Sequence, residues 1–162
     1  MTIEKTNIIP GVGFGQLKFG MSQDDVEKML GKPEKIENPD EDGNIVYIYE
    51  TLGINFLVFD KEDDFRLTTI ELNKSSGGVL WNCPIFNQPV HRIEILCEKN
   101  GFTLEYDCTV TFDTAGECFE SAYHVNAIQC DFYMDESDRL KTLCFGVIFN
   151  DDDEIIWPAL DV

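Results

Sequence analysis

The sequence predicts an α+β fold. Two tandem units, each a helix followed by a three-stranded antiparallel meander, build one sheet with helices on one face. Three observations carry this expectation. The first is a long-period repeat. Tyr49, Ile54, Phe56, Val58, Arg66, Leu67, Thr69, Ile70 and Leu72 fall on Tyr123, Ile128, Cys130, Phe132, Arg139, Leu140, Thr142, Leu143 and Phe145. The offset is 74 residues and then 73, the period of a duplicated small domain rather than of a solenoid. The second is a complete helix-start and helix-stop signature near residue 22. The third is a run of three alternating apolar segments in each half.

In chain order, QLKFG at 16–20 reads as an extended lead-in. Ser22 then caps a short helix, with Asp25 at the third helical position to reach back. Asp24, Asp25 and Glu27 suit the positive end of the helix, and Val26, Met29 and Leu30 share one face. Gly31 and Pro33 end it. An acidic loop at 34–44 leads to strands at 44–51, 54–60 and 66–73, with turns at Gly53 and at DKEDD, 60–64. KSSGG at 74–78 divides the chain into units 1–78 and 79–162. The second unit opens on the extended LWNCPIF. Pro89 starts a helix with Ile93, Leu96 and Cys97 on one face, and Asn100-Gly101 ends it. Strands follow at 102–112, 117–125, 128–134 and 139–149. In the tail, Ile155, Ile156 and Trp157 are expected to dock, since exposing three large apolar groups is costly.

Composition narrows the function. A chain of 162 residues with 43% hydrophobic content is rich enough to fold around a core. Its 31 acids against 12 bases give a net charge of −19. Such a field repels phosphate backbones and anionic lipid surfaces, which excludes direct nucleic-acid and membrane binding. It attracts a basic protein and accelerates the encounter. The N-terminal MTIEKTNIIPGVGFG lacks a cationic start followed by an apolar stretch, and no window approaches the length of a spanning helix. The expected location is cytoplasmic. Six cysteines, at 83, 97, 108, 118, 130 and 144, include no C-x-x-C and are read as free thiols.

No motif carries chemistry. Gly11-Val12-Gly13-Phe14-Gly15 neither follows a strand nor opens a helix, so it is not a phosphate loop. The acidic runs at 60–64 and 151–154 lack the spacing of an EF-hand. His91 and Cys97 lie nearly opposite on a helix. His124 and Cys118 share a strand face but have no orienting third group. The reading is therefore a protein without catalytic residues, metal or cofactor.

Gly20-Met21-Ser22, Val26 and Leu30-Gly31-Lys32-Pro33 give the first unit a pattern that resembles the domain shared by the β-lactamase inhibitor protein and the small outer-membrane assembly lipoproteins. In the second unit Asn87-Gln88-Pro89 replaces the helix start, and only the strands match. The resemblance implies a scaffold and a binding mode: a duplicated unit whose sheet grips another protein. Its motif residues form a helix and its stop, so they carry over no site.

Strict alternation puts Ile54, Phe56 and Val58, with Ile128, Cys130 and Phe132, toward the helices. The opposite face then carries Asn55, Leu57 and Phe59 beside Gln129, Asp131 and Tyr133. The expected partner-binding set is Leu57, Phe59, Glu71, Glu120, Asp131 and Tyr133, with Asp60, Asp63 and Asp64 steering. The expected function is that of an immunity-type inhibitor that neutralises a basic toxin by covering its active surface. The alternatives are a structural protein that self-associates through the sheet, as a homodimer, or a small-ligand binder with a pocket between sheet and helices.

Overall fold

The computed structural model describes residues 6–38, 43–107 and 121–160. The first unit contains β1 (Asn7–Ile9), β2 (Gly13–Phe14), β3 (Leu17–Lys18), α1 (Gln23–Leu30), β4 (Lys35–Glu37), β5 (Ile45–Tyr49), β6 (Ile54–Asp60) and β7 (Arg66–Asn73). The second contains β8 (Val79–Leu80), β9 (Cys83–Pro84), α2 (Val90–Lys99), β10 (Glu105–Asp107), β11 (Ser121–Val125), β12 (Cys130–Met134) and β13 (Leu140–Gly146).

The expected α+β arrangement, one sheet with helices on one face, is overturned. The chain is mostly β, with thirteen strands among the described residues in two sheets. One has eight strands, in the order β10-β11-β12-β13-β7-β6-β5-β4; the other has five, in the order β3-β2-β1-β8-β9. The second sheet arises from the two lead-ins, which pair instead of lying alongside. β1 pairs antiparallel with β2 and parallel with β8, so the entry segments of the two units are stitched together. Ile8, Phe14, Leu17 and Leu80 from this sheet join Val26 and Ile93 from the helices and Leu57, Phe59, Phe132 and Phe145 from the large sheet in a single core.

The duplication sets the geometry. At the centre of the large sheet β7 lies antiparallel to β13, with Leu72 opposite Leu143, Glu71 opposite Cys144 and Ile70 opposite Phe145. Glu71 and Cys144 are 73 residues apart, the repeat spacing of this strand, so each faces its own counterpart across a pseudo-twofold axis. Local hydrogen bonds recur in both units. Gly20 N donates to Leu67 O and Leu67 N to Met21 O, both at 2.9 Å; in the second unit Asn87 N donates to Leu140 O and Leu140 N to Gln88 O. Asn87 therefore stands where the first unit has Gly20. It takes the same positive φ (67° against 96°), which Asn tolerates better than most residues.

The helix reading holds. The Ser22 hydroxyl accepts from Asp25 N, and the Asp25 carboxylate accepts from Ser22 N, a capping box of about 1 kcal/mol. Tyr47 Oη donates to Gln23 at 3.0 Å and Tyr49 Oη to Gly31 O at 2.8 Å, pinning α1 onto β5. The strands at 54–60 and 66–73 fall where expected.

The faces of β6 do not. Ile54 pairs with Leu72, but Phe56 pairs with Glu71, so Asn55 is an extra residue in a β-bulge. Alternation continues on the other parity after it. Leu57 and Phe59 turn inward and are fully buried, while Phe56 and Val58 turn outward and are half-buried. In β12, which has no bulge before Tyr133, alternation holds: Cys130 and Phe132 are inside, Asp131 and Tyr133 outside. In the tail, Ile155 bridges to Phe149 and Trp157 packs under the Arg66 guanidinium, 5.2 Å from its ring centroid. Ile156, expected to dock, is exposed, because the strand-like tail turns alternate side chains to solvent.

Candidate functional site

The face of the large sheet opposite the helices carries a lateral row of functional side chains. Directly opposed residues run Glu105, His124, Asp131, Cys144, Glu71 and Phe56 across β10, β11, β12, β13, β7 and β6. Each step is one strand spacing, roughly 4.8 Å. A second row runs Asp107, Ala122, Tyr133, Thr142 and Asn73. Side chains opposite one another in a sheet lie close enough to interact, so the acids form one electrostatic surface.

Its second-unit end is acidic. His124 Nε2 lies 3.2 Å from Glu105 Oε2, and its Nδ1 lies 3.9 Å from Asp107 Oδ2. Asp131 stands opposite the same imidazole. Burial pushes its carboxyl above the usual range; the Asp107 charge adds to this and the His124 ring opposes it. The Tyr133 phenol is raised too, mainly by burial and then by Asp131. At the centre, Asn55 Nδ2 donates to Glu71 Oε2 at 3.0 Å, and Asn73 Nδ2 to Asn55 Oδ1 at 2.6 Å. The bulge residue thereby positions the central carboxylate. The first-unit end is apolar: Val46, Phe56 and Val58 share this face.

The Cys144 thiol is pushed well up, first by burial and then by Glu71 and Asp131, the reverse of what makes a thiolate. Asp131 also stands between Cys144 and His124 in the row. Among the described residues no three His, Cys, Asp or Glu side chains are arranged to hold a metal ion, and Cys83, Cys97, Cys130 and Cys144 are free thiols.

Of the residues the sequence nominated, Glu71, Asp131 and Tyr133 meet on this face. Leu57 and Phe59 do not; they are core residues, for the reason given by the bulge. Glu120, Cys108 and Cys118 lie outside the described residues. Asp60, Asp63 and Asp64 sit four or more residues along from Phe56, about 13 Å from the row or beyond. There Asp60 caps its own turn by accepting from Glu62 N at 2.9 Å. The Asp63 carboxyl is raised by burial and by Asp60, with Arg66 opposing. Sequence reasoning missed Glu105 and Asp107, weighed His124 only as a partner of Cys118, and placed Phe56 toward the helices. Pairing β10 with β11 sets Glu105 opposite His124 and Asp107 two residues along on the same face, the signal that would have found both acids.

Raised pKa fixes a sign. Asp131 binds its proton more tightly folded than unfolded, so its charge costs stability above the folded pKa, and that cost vanishes below the unfolded value of about 3.9. Asp131→Asn is expected to raise the denaturation midpoint at neutral pH and to leave it unchanged at the acid end. Paired urea titrations across pH read the difference.

Residues 14–92 match the family model of a domain of unknown function, DUF7738. The match runs from β2 into the first turn of α2, covering the first unit from its hairpin onward and the entry to the second. No curated protein and no solved structure matches the chain. Among the described residues no helix is long and apolar enough to cross a membrane.

Proposed function

We propose that this protein is a non-enzymatic binding module that neutralises a basic partner by covering its surface, in the manner of an immunity protein acting on a toxin in the cytoplasm. One observation carries the reading: in a chain of net charge −19, the carboxylates of Glu105, Asp131 and Glu71 align across a half-buried sheet face beside an apolar patch. The half-buried carboxylates of Asp131 and Glu71 have met part of their desolvation cost before a cation arrives, while Glu105 at the edge stays in water. The aligned acids would engage Arg and Lys side chains, while Phe56, Val58 and Tyr133 supply the apolar contact that hot spots require. The loops at 60–64 and 151–154 would act through the long-range field, on association rate more than on affinity. The resemblance of the helix motif to the inhibitor and lipoprotein domain points the same way, toward a scaffold that grips a protein.

The test is affinity capture from the native cell, followed by titration of the captured protein. The expected partner is basic. Its binding weakens with salt, falls by about tenfold or more with Asp131→Asn plus Glu71→Gln, and changes mainly in on-rate when Asp60, Asp63 and Asp64 become Asn. An acidic partner, or affinity untouched by the double variant, contradicts the proposal. So does a stable dimer of this chain that buries Asp131.

A further inference from the structure

The two units differ at one place that matters. Hairpins β2–β3 and β8–β9 correspond: Phe19 N donates to Val12 O at 2.8 Å and Ile85 N to Gly78 O at 3.2 Å, with both Phe19 and Ile85 fully buried. The correspondence sets Gly15 (φ 58°) against Trp81 (φ 48°) in the hairpin turn. Trp81 stacks on Phe102, ring centroids 5.8 Å apart and planes 12° from parallel. Phe102 lies three residues past the end of α2, its N–H bonded to Cys97 O at 2.9 Å. A bulky aromatic residue at positive φ is an outlier, so the ring's contacts must offset the strain of the turn.

The first unit has neither ring. Gly15 stands in the turn, and α1 ends in Leu30-Gly31-Lys32-Pro33. What remains between the hairpin and the C-terminal end of α1 is a cleft of about 420 Å³. Its wall is Phe14, which stands where the second unit has Leu80, with Leu17, Met29, Leu30 and Ile54; Gln16 and Ser76 are the polar groups, and no ionisable side chain lines it. Leu52, also on the lining, is 41% exposed. A cleft of this size and apolarity falls within the range of ligand sites. Its lack of charge contrasts with the acidic end of the large sheet's outer face.

We propose that the cleft accepts an uncharged, indole-sized aromatic side chain presented by a partner polypeptide, the group that the second unit supplies to itself. In the second unit the ring arrives on a backbone turn rather than as a free molecule, so a turn or extended segment of another chain is the occupant that fits. The site is separate from the acidic face and does not depend on the function proposed for it.

The experiment is methyl NMR on the full chain with three probes: a capped Gly-Trp-Gly peptide, a capped Gly-Lys-Gly peptide and free indole. The tryptophan peptide should move the Met29, Leu30 and Ile54 methyls, saturating in roughly the millimolar range. Gly15→Trp, combined with Gln16→Asn so that the turn carries the same residue pair as Trp81-Asn82, where both take positive φ, is expected to fill the cleft from within and to abolish those shifts. Leu52→Ser, at an exposed position, should weaken them severalfold, and Asp131→Asn plus Glu71→Gln should leave them intact. The proposal is overturned if the tryptophan peptide causes no shift, if the lysine peptide acts equally, or if Gly15→Trp plus Gln16→Asn binds like the parent. Free indole binding as tightly as the peptide would also overturn it, in favour of a small-molecule ligand.

Discussion

Leu57→Ala should cost about 2–5 kcal/mol and Phe59→Ala about 3–5 kcal/mol, read as a fall in urea midpoint at unchanged slope. Both side chains are fully buried, and Phe59 meets the Tyr47 ring edge-on at 4.8 Å between centroids. Truncating either removes apolar area from the core and leaves a cavity that the rigid sheet cannot close. Had strict alternation held along β6, both would lie on the outer face, and truncation would cost no more than about 0.5 kcal/mol. The outward Val58 is the internal control, since Val58→Ala should cost clearly less than either. The comparison tests the bulge at Asn55 as well as the core, because only the bulge decides which parity faces inward.

A second large effect should come from Gly53→Ala, with a loss above about 2 kcal/mol. Gly53 has φ 72° and ψ 20°, a left-handed conformation that costs a side-chain-bearing residue about 1 kcal/mol or more. Space is the larger obstacle: an added Cβ would meet Ser76 N at 2.1 Å and the Ser75 carbonyl carbon at 2.5 Å, both backbone atoms that cannot swing aside. The duplication supplies a control. Gln129 occupies the same place in the second unit, closing its turn onto Asn126 O as Gly53 does onto Glu50 O. Gly146 N donates to Gln129 O as Asn73 N donates to Gly53 O. Gln129 tolerates φ 50° because the chain there runs on from Gly146 without folding back over the turn as Lys74–Ser76 does in the first unit. Gln129→Gly should therefore shift stability by no more than about 1 kcal/mol. Equal losses at the two positions would contradict the crowding by Ser75 and Ser76 as the cause of the Gly53 effect.

These expectations also show what could be read from the residues in advance. Ser22, Asp25 and Gly31 announced α1 because capping is local and each contact spans three or four positions. The strands at 54–60 and 66–73 were legible because seven or eight alternating residues between turn signals leave little choice. The five-stranded sheet was not. Its strands have two or three residues each, too short for any period, and its key contact, Ile8 beside Leu80, is parallel and far apart in sequence. The site failed where one residue changed the count. With Asn55 bulged, β6 aligns with β12 one position further on than the repeat suggests. Leu57 then matches Phe132 inside, and Phe56 matches Asp131 on the outer row. Glu71, Asp131 and Tyr133 survived because β7 near its centre, and β12 before Tyr133, keep strict alternation.

Carboxyl footprinting of the protein alone and bound to its captured basic partner tests the central claim most directly, because carbodiimide labelling reports each acid separately. The account predicts that binding shields Glu71, Glu105 and Asp131 together, while Asp64 and Asp151 stay as reactive as in the free protein. Shielding confined to the 60–64 and 151–154 loops, with the sheet acids labelled as before, would contradict it.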